Sequence, residues 1–456
     1  MNQVTTTGGA VIRILIVGGG CAGLTAALRL QHGLRAELRA GTAEITVVET
    51  EPYLTYQPLL AEVAAGSIDP RHVVVPLRRA LPDCRVLTAR ITRIDHGRRL
   101  AWIVPEPGSE IELPYERLIL TAGSVSRTLP VPGLAEFGLG FASVGEAVGL
   151  RNHVLEQLDI ASSTRDPELR HAALTFVFVG AGFAGVGALA ELEDMARYAL
   201  RGYPNIQPDD LRWILVEAAD RILAEADPAL AAHTLAQLRE RSVDVRLGST
   251  LESAQGRVMA LSDGSRFAAR TLVWTAGVRP APLLSATDLP LDESGRVRCL
   301  PTLRVAGPDG EPLADAWAAG DCAAVPDPDG ERATCAPNAQ HAAAQARLLA
   351  DNLLASLASG PELEYRPERP CASASLGLGR GVAHTRRRSL TGRRAWLLHR
   401  ARTLRRLPSP DRRVRILADW ILSGLFTREI VSLGSLEHPR AEFEAAAGSP
   451  DGAPRP

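Results

Sequence analysis

The sequence predicts an α/β protein with two domains of the same layout and a separate C-terminal region. A pattern of buried strand, glycine turn, helix and second strand occurs at residues 11–49 and again at 175–217, and from about residue 360 the composition becomes rich in Arg. A chain of 456 residues is too long for one ordinary core. The net charge of −1 gives no global reason to expect a nucleic acid partner.

Each repeat consists of a strand buried on both faces, a helix and a second buried strand. The sequence VIRILIV at 11–17 is rich in β-branched residues, which is typical of such a strand. A helix is predicted over 22–30 and the next strand over 45–49. In the second repeat, a strand is predicted at 175–179, a helix over 185–198 and a second strand at 213–217. Further strands are predicted at 85–94, 110–120 and 316–319, and a helix at 338–354.

The first repeat carries a G-x-G-x-x-G turn formed by Gly18, Gly20 and Gly23. In such a turn the first Gly permits the tight bend, the second lets a pyrophosphate approach the backbone, and the third lets the helix pack on the sheet. The helix N-terminus offers free N–H groups and a positive dipole end to the phosphates, worth up to about 2 kcal/mol. Glu49 closes the next strand, where a carboxylate can accept hydrogen bonds from ribose hydroxyls.

The second repeat has the same pattern in Gly180, Gly182 and Gly185, with Glu217 closing its second strand. One such match is weak, because glycine turns are common without nucleotide, but two matches in register favour two dinucleotide sites. A carboxylate at the ribose would repel the 2′-phosphate of NADPH by about 4 kcal/mol for unit charges near 4 Å at an effective dielectric of about 20. Glu217 therefore favours NADH, although the nearby Arg221 weakens this preference.

A third candidate element is Gly320-Asp321 at the end of a predicted strand. An Asp at such a turn can hydrogen-bond the ribityl chain of a flavin, and Gly lets the backbone approach it. Taken alone, a surface Asx turn is the better explanation of the pair. Together with two dinucleotide turns, the pair favours a flavin site.

These features resemble the flavoprotein reductases of the pyridine nucleotide–disulfide oxidoreductase superfamily, which have two dinucleotide folds. The resemblance covers roughly residues 10–355. It implies that the first fold holds FAD and that the second fold, inserted in the first, holds NAD(P)H. It also implies that the Thr-Ala-Gly turns ending at Gly123 and Gly277 are the crossovers between the folds.

Disulfide reductases of this superfamily carry a redox Cys soon after the second strand of the FAD fold. Residues 53–60 have the sequence YLTYQPLL here, without Cys. The six cysteines are scattered, which favours a reducing compartment without structural disulfides. Disulfide and peroxide substrates are therefore disfavoured. Sulfide oxidation is disfavoured too, although Cys322 and Cys335 leave it open.

Residues 56–66 and 335–345 resemble segments of the type II NADH dehydrogenases, the single-subunit NADH:quinone oxidoreductases. The resemblance implies that the first segment, with Gln57, lies beside the flavin. It implies that the second is a helix lining the quinone pocket, where Gln340 points at the quinone or the flavin pyrimidine edge and Gln345 lies one turn further along. For Gln340 an exposed helical Gln is the alternative.

The chain departs from that family after the second glycine turn. The family usually has Gly-Val/Ile-Glu there, which puts a carboxylate near nicotinamide and quinone, whereas this chain has Gly185-Val186-Gly187. Glu191 lies one turn later on the same helix face. It either substitutes for the missing acid as a catalytic residue or is a surface acid.

The C-terminal region combines clusters of Arg with Trp396 and Trp420 in apolar surroundings. This composition is typical of a helix lying in an anionic membrane surface, where each Arg adds about 1 kcal/mol. The type II enzymes are similarly anchored by C-terminal segments. The alternatives are packing on its own domain, a dimer interface and a solvated basic face. The basic residues concerned include Arg386, Arg393, Arg394, Arg400, Arg405, Arg406, Arg412 and Arg415.

The predicted domains are an FAD fold at 10–144 and 266–355, an NADH fold at 145–265, a C-terminal membrane-surface or interface region at 356–441, and a disordered tail at 442–456. The predicted activity is FAD-dependent NADH:quinone reduction without proton pumping, with menaquinone as the acceptor. The protein is expected to attach peripherally to the cytoplasmic side of the cell membrane. A homodimer is one possibility for its oligomeric state, and no metal site is expected. The alternatives are a soluble ferredoxin- or rubredoxin-type reductase and a non-catalytic nucleotide-binding redox sensor.

Overall fold

The computed structural model describes residues 11–328, 333–367, 373–384, 389–426, 428 and 430–432. The chain divides into two compact units. Unit 1 comprises Met1–Tyr56, Val74–Arg127 and Val278–Pro370, and unit 2 comprises Gln57–Val73, Thr128–Gly277 and Cys371–Pro456. The predicted α/β class with two similar nucleotide-type folds is confirmed.

The secondary structure of the described chain combines βα units with runs of consecutive strands, as at 85–126 and 244–324. The strands are β1 (Ile12–Val17), β2 (Ala43–Glu49), β3 (Tyr53–Thr55), β4 (Val74–Pro76), β5 (Arg85–Asp95), β6 (Leu100–Pro105), β7 (Ile111–Pro114), β8 (Arg117–Leu120), β9 (Ser124–Ser126), β10 (Gly138–Leu139), β11 (Thr175–Val179), β12 (Arg212–Val216), β13 (Asp244–Arg246), β14 (Leu251–Ser253), β15 (Val258–Leu261), β16 (Arg266–Ala268), β17 (Thr271–Trp274), β18 (Val278–Pro280), β19 (Val297–Arg298), β20 (Arg304–Ala306), β21 (Pro312–Ala318), β22 (Ala323–Ala324), β23 (Ser373–Ser375), β24 (Gly381–His384) and β25 (Ser389–Thr391). The helices are α1 (Cys21–Gly33), α2 (Arg35–Ala40), α3 (Leu60–Ala64), α4 (Leu77–Ala80), α5 (Leu134–Phe137), α6 (Val144–Ser163), α7 (Pro167–Ala173), α8 (Phe183–Ala199), α9 (Pro228–Glu240), α10 (Ala339–Leu357), α11 (Gly392–Arg406) and α12 (Pro410–Leu425).

Unit 1 is built on an eight-stranded sheet in the order β20-β21-β8-β1-β2-β5-β6-β7. The strands at its centre are parallel: β1 pairs in parallel with β2 and with β8, and β21 pairs in parallel with β8. The strand predicted at 110–120 is instead two strands, β7 and β8. Strand β8 joins the parallel centre because its Leu118, Ile119 and Leu120 are all fully buried, whereas β5, β6 and β7 form an antiparallel arm.

Unit 2 is built on a five-stranded parallel sheet in the order β10-β17-β11-β12-β13. The unit extends beyond the predicted 145–265. Residues 271–274, assigned from sequence to the FAD fold, form β17 beside β11, because the run is buried on both faces and its Leu272 packs against Val177 in the core of this sheet. Residues 57–73 also belong to unit 2. The C-terminal region, predicted to begin at 356, joins unit 2 only after Pro370, because α10 continues to Leu357 and the residues up to Pro370 stay with unit 1.

The C-terminal residues of unit 2 form a small antiparallel sheet, β23-β24-β25, followed by α11 and α12. Helix α11 packs closely on β24, since a Cβ at Gly381 would lie 2.7 Å from the backbone nitrogen of Trp396. Arg400, grouped from sequence with the surface arginines, is instead buried. The tail predicted at 442–456 lies outside the described residues. Within the described part of the chain, no helix is both long and apolar enough to cross a membrane.

Candidate functional site

The first glycine turn, in unit 1, connects β1 to α1 and is shaped by contacts that exclude a side chain. Gly18 has φ +96°, and a Cβ there would lie 2.4 Å from the Thr121 carbonyl oxygen. A Cβ at Gly23 would lie 1.8 Å from the Gly18 carbonyl oxygen, so α1 can sit on the turn only without one. A Cβ at Gly20, by contrast, would meet no protein atom within 4 Å. The protein's own packing requires Gly18 and Gly23, and the open space at Gly20 fits the approach of a ligand to the backbone.

The carboxylate of Glu49 fixes this turn. One of its oxygens accepts a hydrogen bond from the Gly19 N–H at 2.6 Å, and the other accepts from the Thr50 N–H at 2.8 Å. The oxygen bonded to the Thr50 N–H also accepts from Thr50 Oγ1 at 3.0 Å. Since each carboxylate oxygen has about two lone-pair sites, the oxygen bonded to Gly19 keeps one with which to accept from a ribose hydroxyl. Glu49 therefore lies beside the turn, where the sequence predicts ribose binding.

Unit 2 repeats the turn between β11 and α8 with nearly the same contacts. Gly180 has φ +103°, and a Cβ there would lie 2.6 Å from the Thr275 carbonyl oxygen. A Cβ at Gly185 would lie 2.0 Å from the Gly180 carbonyl oxygen, and a Cβ at Gly182 would meet nothing within 4 Å. The second turn therefore has the same free face for a ligand as the first.

Glu217 holds the second turn as Glu49 holds the first. Its carboxylate accepts hydrogen bonds from the Ala181 N–H at 2.6 Å and the Ala219 N–H at 3.0 Å. Arg221 donates to the carbonyl oxygen of Ala224, three residues away in its own loop. The Arg221 guanidinium, which weakened the inference from the sequence that Glu217 favours NADH, is thus hydrogen-bonded to the backbone in this structure.

The two Thr-Ala-Gly turns contact the two glycine turns in the same way, through the hydroxyl of their Thr. Thr121 Oγ1 donates to the Val17 carbonyl at 2.8 Å, and Thr275 Oγ1 donates to the Val179 carbonyl at 3.0 Å. Gly123 has φ +67° and Gly277 has φ +88°, conformations that favour Gly at both positions. The strands that follow these turns, β9 and β18, pair with each other in unit 1.

The Gly320-Asp321 turn follows β21 in unit 1 and is tied to α10 and to β9. The Gly320 N–H donates to Gln345 Oε1 at 2.9 Å, and Asp321 accepts from Ser124 Oγ at 2.8 Å. Burial raises the pKa of Asp321 above its usual value. Gln345 therefore fixes the turn, whereas Gln340 is half-buried in the first turn of α10. The residues lining a small pocket here include Gly320, Asp321, Cys335, Asn338, His341 and Gln345.

Cys322 and Cys335 lie near this turn, but neither has the character of a reactive thiol. Both are buried, and burial raises the pKa of each to about 11. Only a very small fraction of either would be thiolate at neutral pH. Sulfide or disulfide chemistry through these two residues is therefore disfavoured.

Two of the predicted catalytic residues lie in unit 2. The exposed Gln57 donates from Nε2 to the Ala142 carbonyl oxygen at 3.1 Å. Glu191 is only 2% exposed, so it is no surface acid, and it accepts a hydrogen bond from Ser375 Oγ. Burial, and then the negative charge of Glu62, raise the pKa of Glu191 to about 7.

Gly187, where the family resemblance implies a Glu, faces α3. A Cβ there would lie 3.7 Å from the Cβ of Ala61, an ordinary contact. The acid found on this helix face is therefore Glu191, one turn further on. Sequence analysis missed its neighbours Glu62, Ser375 and Arg400. The available signal was the isolated charge of Glu62 within the apolar segment LLAEVAA.

The duplicated turns, each with a Thr clamp and a terminal acid, form the frame of a protein that binds two dinucleotides. The model of the pyridine nucleotide-disulphide oxidoreductase family matches residues 12–346, most of the chain. The chain belongs to this family. Its members are FAD-dependent, and the free faces of the two turns fit one dinucleotide in each unit.

Among curated proteins of this family, the chain is similar to several NADH:quinone oxidoreductases. It is 29% identical over 432 residues to the type II NADH:quinone oxidoreductase Ndh of Mycobacterium tuberculosis, covering 91% of this chain and 89% of that protein. It is 26% identical over 388 residues to the type II NADH:quinone oxidoreductase of Staphylococcus saprophyticus, covering 84% of this chain and 92% of the relative.

Among solved structures, the fold is similar to NDH2 from Plasmodium falciparum in complex with NADH. The TM-score is 0.83 at 16% identity, and the match covers 92% of this chain and 99% of the other. Putidaredoxin reductase, solved in a covalent complex with putidaredoxin, matches at a TM-score of 0.62 and 20% identity, over 82% of this chain and 81% of that one. At these identities both matches establish the fold.

Alanine at the two open glycines separates ligand approach from chain packing. We expect Gly20→Ala to lower FAD retention about tenfold, and Gly182→Ala to raise the KM for NADH about tenfold with FAD content unchanged, about 1.4 kcal/mol each. Stability should barely change, because neither methyl group meets protein and both backbones are compatible with Ala. Gly202→Ala, also in open space, is the control. If the two effects were exchanged, the assignment of the cofactors to the units would be wrong.

Glu217→Gln tests the choice between nicotinamide cofactors. Removing the charge beside the ribose should reduce the ratio of kcat/KM for NADH to that for NADPH about tenfold. This effect is smaller than the full Coulomb repulsion would give, because Glu217 is only half-buried and solvent screens its charge. Glu49→Gln, the matched change in unit 1, should leave this ratio unchanged. An unaltered ratio in Glu217→Gln would show that another group reads the 2′-position.

Proposed function

We propose that this chain is a type II NADH:quinone oxidoreductase that oxidises NADH and reduces a membrane quinone. The observation that carries the proposal is the pair of equivalent open glycine turns, one in each unit. Among the described cysteines of unit 1, burial raises the pKa of Cys21, Cys322 and Cys335 to about 11, so none of these three is a thiolate at neutral pH. Such a protein can hold two dinucleotides, and these three cysteines do not provide a reactive thiol that could relay electrons. The similarity to type II NADH:quinone oxidoreductases over about nine tenths of the chain supports quinone as the acceptor.

The residues of the chain have distinct parts in this reaction. The N-terminus of α1, left without a side-chain cap at Gly20, would face the FAD pyrophosphate, and α8 at Gly182 would do the same for NADH. Asp321 and Gln345 would position the flavin side of unit 1. Bound FAD supplies the redox chemistry, accepting a hydride equivalent and releasing electrons to the acceptor. The bacterial relatives support a quinone as that acceptor, and we propose that it is a menaquinone.

Helix α12 supports peripheral attachment to the membrane. One face is anchored in unit 2, where Ile416 is fully buried and Ser423 Oγ donates to the Ser67 carbonyl at 3.1 Å. The opposite face is apolar and open to solvent, with Val414 68% and Leu425 73% exposed. The other exposed apolar residues of this face are Leu417, Ile421 and Leu422, and the exposed Phe426 directly follows the helix.

The same C-terminal region carries exposed arginines, on α11 and on α12. Arg393, Arg394, Arg405, Arg406 and Arg415 are all exposed. An exposed apolar helix face in a segment rich in exposed Arg fits the interface of an anionic bilayer. Because the quinone resides in the bilayer and NADH in the cytoplasm, we propose the cytoplasmic side of the cell membrane as the location.

An anaerobic titration tests the proposed reaction. NADH should bleach the flavin absorbance of the purified protein, and a menaquinone analogue should restore it. Reoxidation by ferredoxin or rubredoxin but not by the quinone would favour the soluble-reductase alternative. A flavin that NADH does not bleach would favour the non-catalytic alternative.

A triple substitution Leu417→Ser, Ile421→Ser and Leu425→Ser tests the attachment. Each side chain is about half exposed or more, so the fold should survive while binding to vesicles containing anionic lipid falls strongly. Reduction of a water-soluble quinone should be retained. Val258→Ser and Val278→Ser, at exposed apolar positions outside the C-terminal region, are the controls. Unchanged vesicle binding, or a dimer that the triple variant dissociates, would contradict membrane docking by this face.

A further inference from the structure

Unit 2 contains three buried charged side chains close to one another on different helices. Glu62 on α3 and Glu191 on α8 are each 2% exposed, and Arg400 on α11 is 7% exposed. Burying a charge is costly unless an opposite charge and hydrogen bonds compensate it. The distribution of hydrogen bonds within this cluster shows which of the two acids has that compensation.

Glu62 has strong partners. Its Oε2 accepts a hydrogen bond from Arg400 Nη2 at 2.7 Å and another from Trp420 Nε1 at 2.7 Å. The Arg400 guanidinium lies between two indoles, 3.8 Å from the Trp396 ring centroid and 4.6 Å from that of Trp420. The charge of Arg400 is therefore matched by Glu62, and the indoles shield the pair from water.

Glu191 has no cation of its own among these groups. It accepts from the Ser375 hydroxyl on β23, and it feels the charges of Glu62 and of Asp194 on its own helix. The remaining nearby cation, Arg428, pairs with Asp194 at 2.9 Å. With Arg400 matched to Glu62 and Arg428 to Asp194, an ionised Glu191 would be the one unmatched charge of this described cluster. A proton on Glu191 removes it.

We propose that Glu191 holds the proton used when the quinone is reduced, and that Glu62, held by Arg400 and Trp420, is the positioning residue that keeps the proton there. This inference rests on the proposed function. Its place in the fold supports it, because α3 directly follows the Gln57 segment and Ala61 of α3 faces Gly187 of α8. The acid pair thus lies where α3 meets α8.

The proton balance of the reaction requires such a group. NADH delivers two electrons and one proton as a hydride, whereas a hydroquinone contains two electrons and two protons more than its quinone. The second proton comes from the medium. In the proposed step the O–H bond of Glu191 breaks and an O–H bond of the hydroquinone forms. The Glu191 carboxylate then takes a proton from water.

Two acceptors distinguish proton supply from electron transfer. Ferricyanide takes one electron and no proton, so Glu191→Gln should leave its reduction by NADH unchanged while quinone turnover falls about a hundredfold. Glu193→Gln is the matched control, since Glu193 is another buried acid of α8, paired with Arg197 and Arg241. Its ratio of quinone to ferricyanide turnover should equal that of the wild type. An equal loss with both acceptors in Glu191→Gln, or no loss, would overturn the proposal.

The pH profile supplies a readout that a merely structural role would not move. The raised pKa of Glu191 means that the protonated form prevails below about pH 7 and is lost above it, so quinone turnover should fall on the alkaline side. Glu62→Gln removes a negative neighbour and should move this limb to lower pH. Arg400→Gln removes a positive one and should move it to higher pH. Shifts in the same direction would contradict the charge arrangement.

Ser375→Ala and infrared spectroscopy keep the proposal testable if those variants fold poorly. Loss of the Ser375 hydrogen bond, which lowers the pKa of Glu191, should move the alkaline limb to higher pH. Below pH 7 the resting protein should show a protonated carboxyl band that Glu191→Gln abolishes. Absence of this band would overturn the inference while quinone turnover still stood. A wild-type protein that reduces ferricyanide but no quinone would instead refute the proposed function, and the role of the proton with it.

Discussion

The architecture depends on how closely a helix can approach the end of a strand. At Gly23 and Gly185 a single added carbon would lie 2.0 Å or less from a backbone oxygen of the preceding turn, far inside van der Waals contact. Only with hydrogen at these positions can α1 and α8 start directly above their strands. The same approach directs the free N–H groups of both helices toward the open faces at Gly20 and Gly182, so both nucleotide sites follow from one steric constraint.

Much of this frame could be predicted from the sequence because its signals are local. Strand β11 was predicted to the residue, and β1, β2 and β12 to within two, since fully buried parallel strands appear as unbroken apolar runs. The break between β7 and β8 was missed. Tyr115 there is buried, so the run appears continuous although the chain leaves one strand and enters another. The strands β23, β24 and β25 are too short for any periodicity to reveal.

The parts of the site that could not be predicted depend on partners far apart in the chain. Glu62 and Arg400 are 338 positions apart. In the sequence, Arg400 is one of many arginines of a basic segment, and nothing local distinguishes it from the exposed ones. Gln345 presents the same difficulty, because the family resemblance drew attention to Gln340 while the hydrogen bond to Gly320 comes from the next turn. The pattern of apolar residues in a sequence predicts its strands and helices, whereas which charged side chains pair becomes known only from the folded structure.

The stacking of Trp396, Arg400 and Trp420 gives the molecule a built-in optical signal. These are two of the six tryptophans in the chain, and both rest on one guanidinium within a few ångströms. Any event that lifts the last two helices from the body of unit 2 must expose these indoles to water together. Indole emission moves to longer wavelength in a more polar environment. The colour of the intrinsic fluorescence therefore reports whether the C-terminal helices are seated, without an attached label.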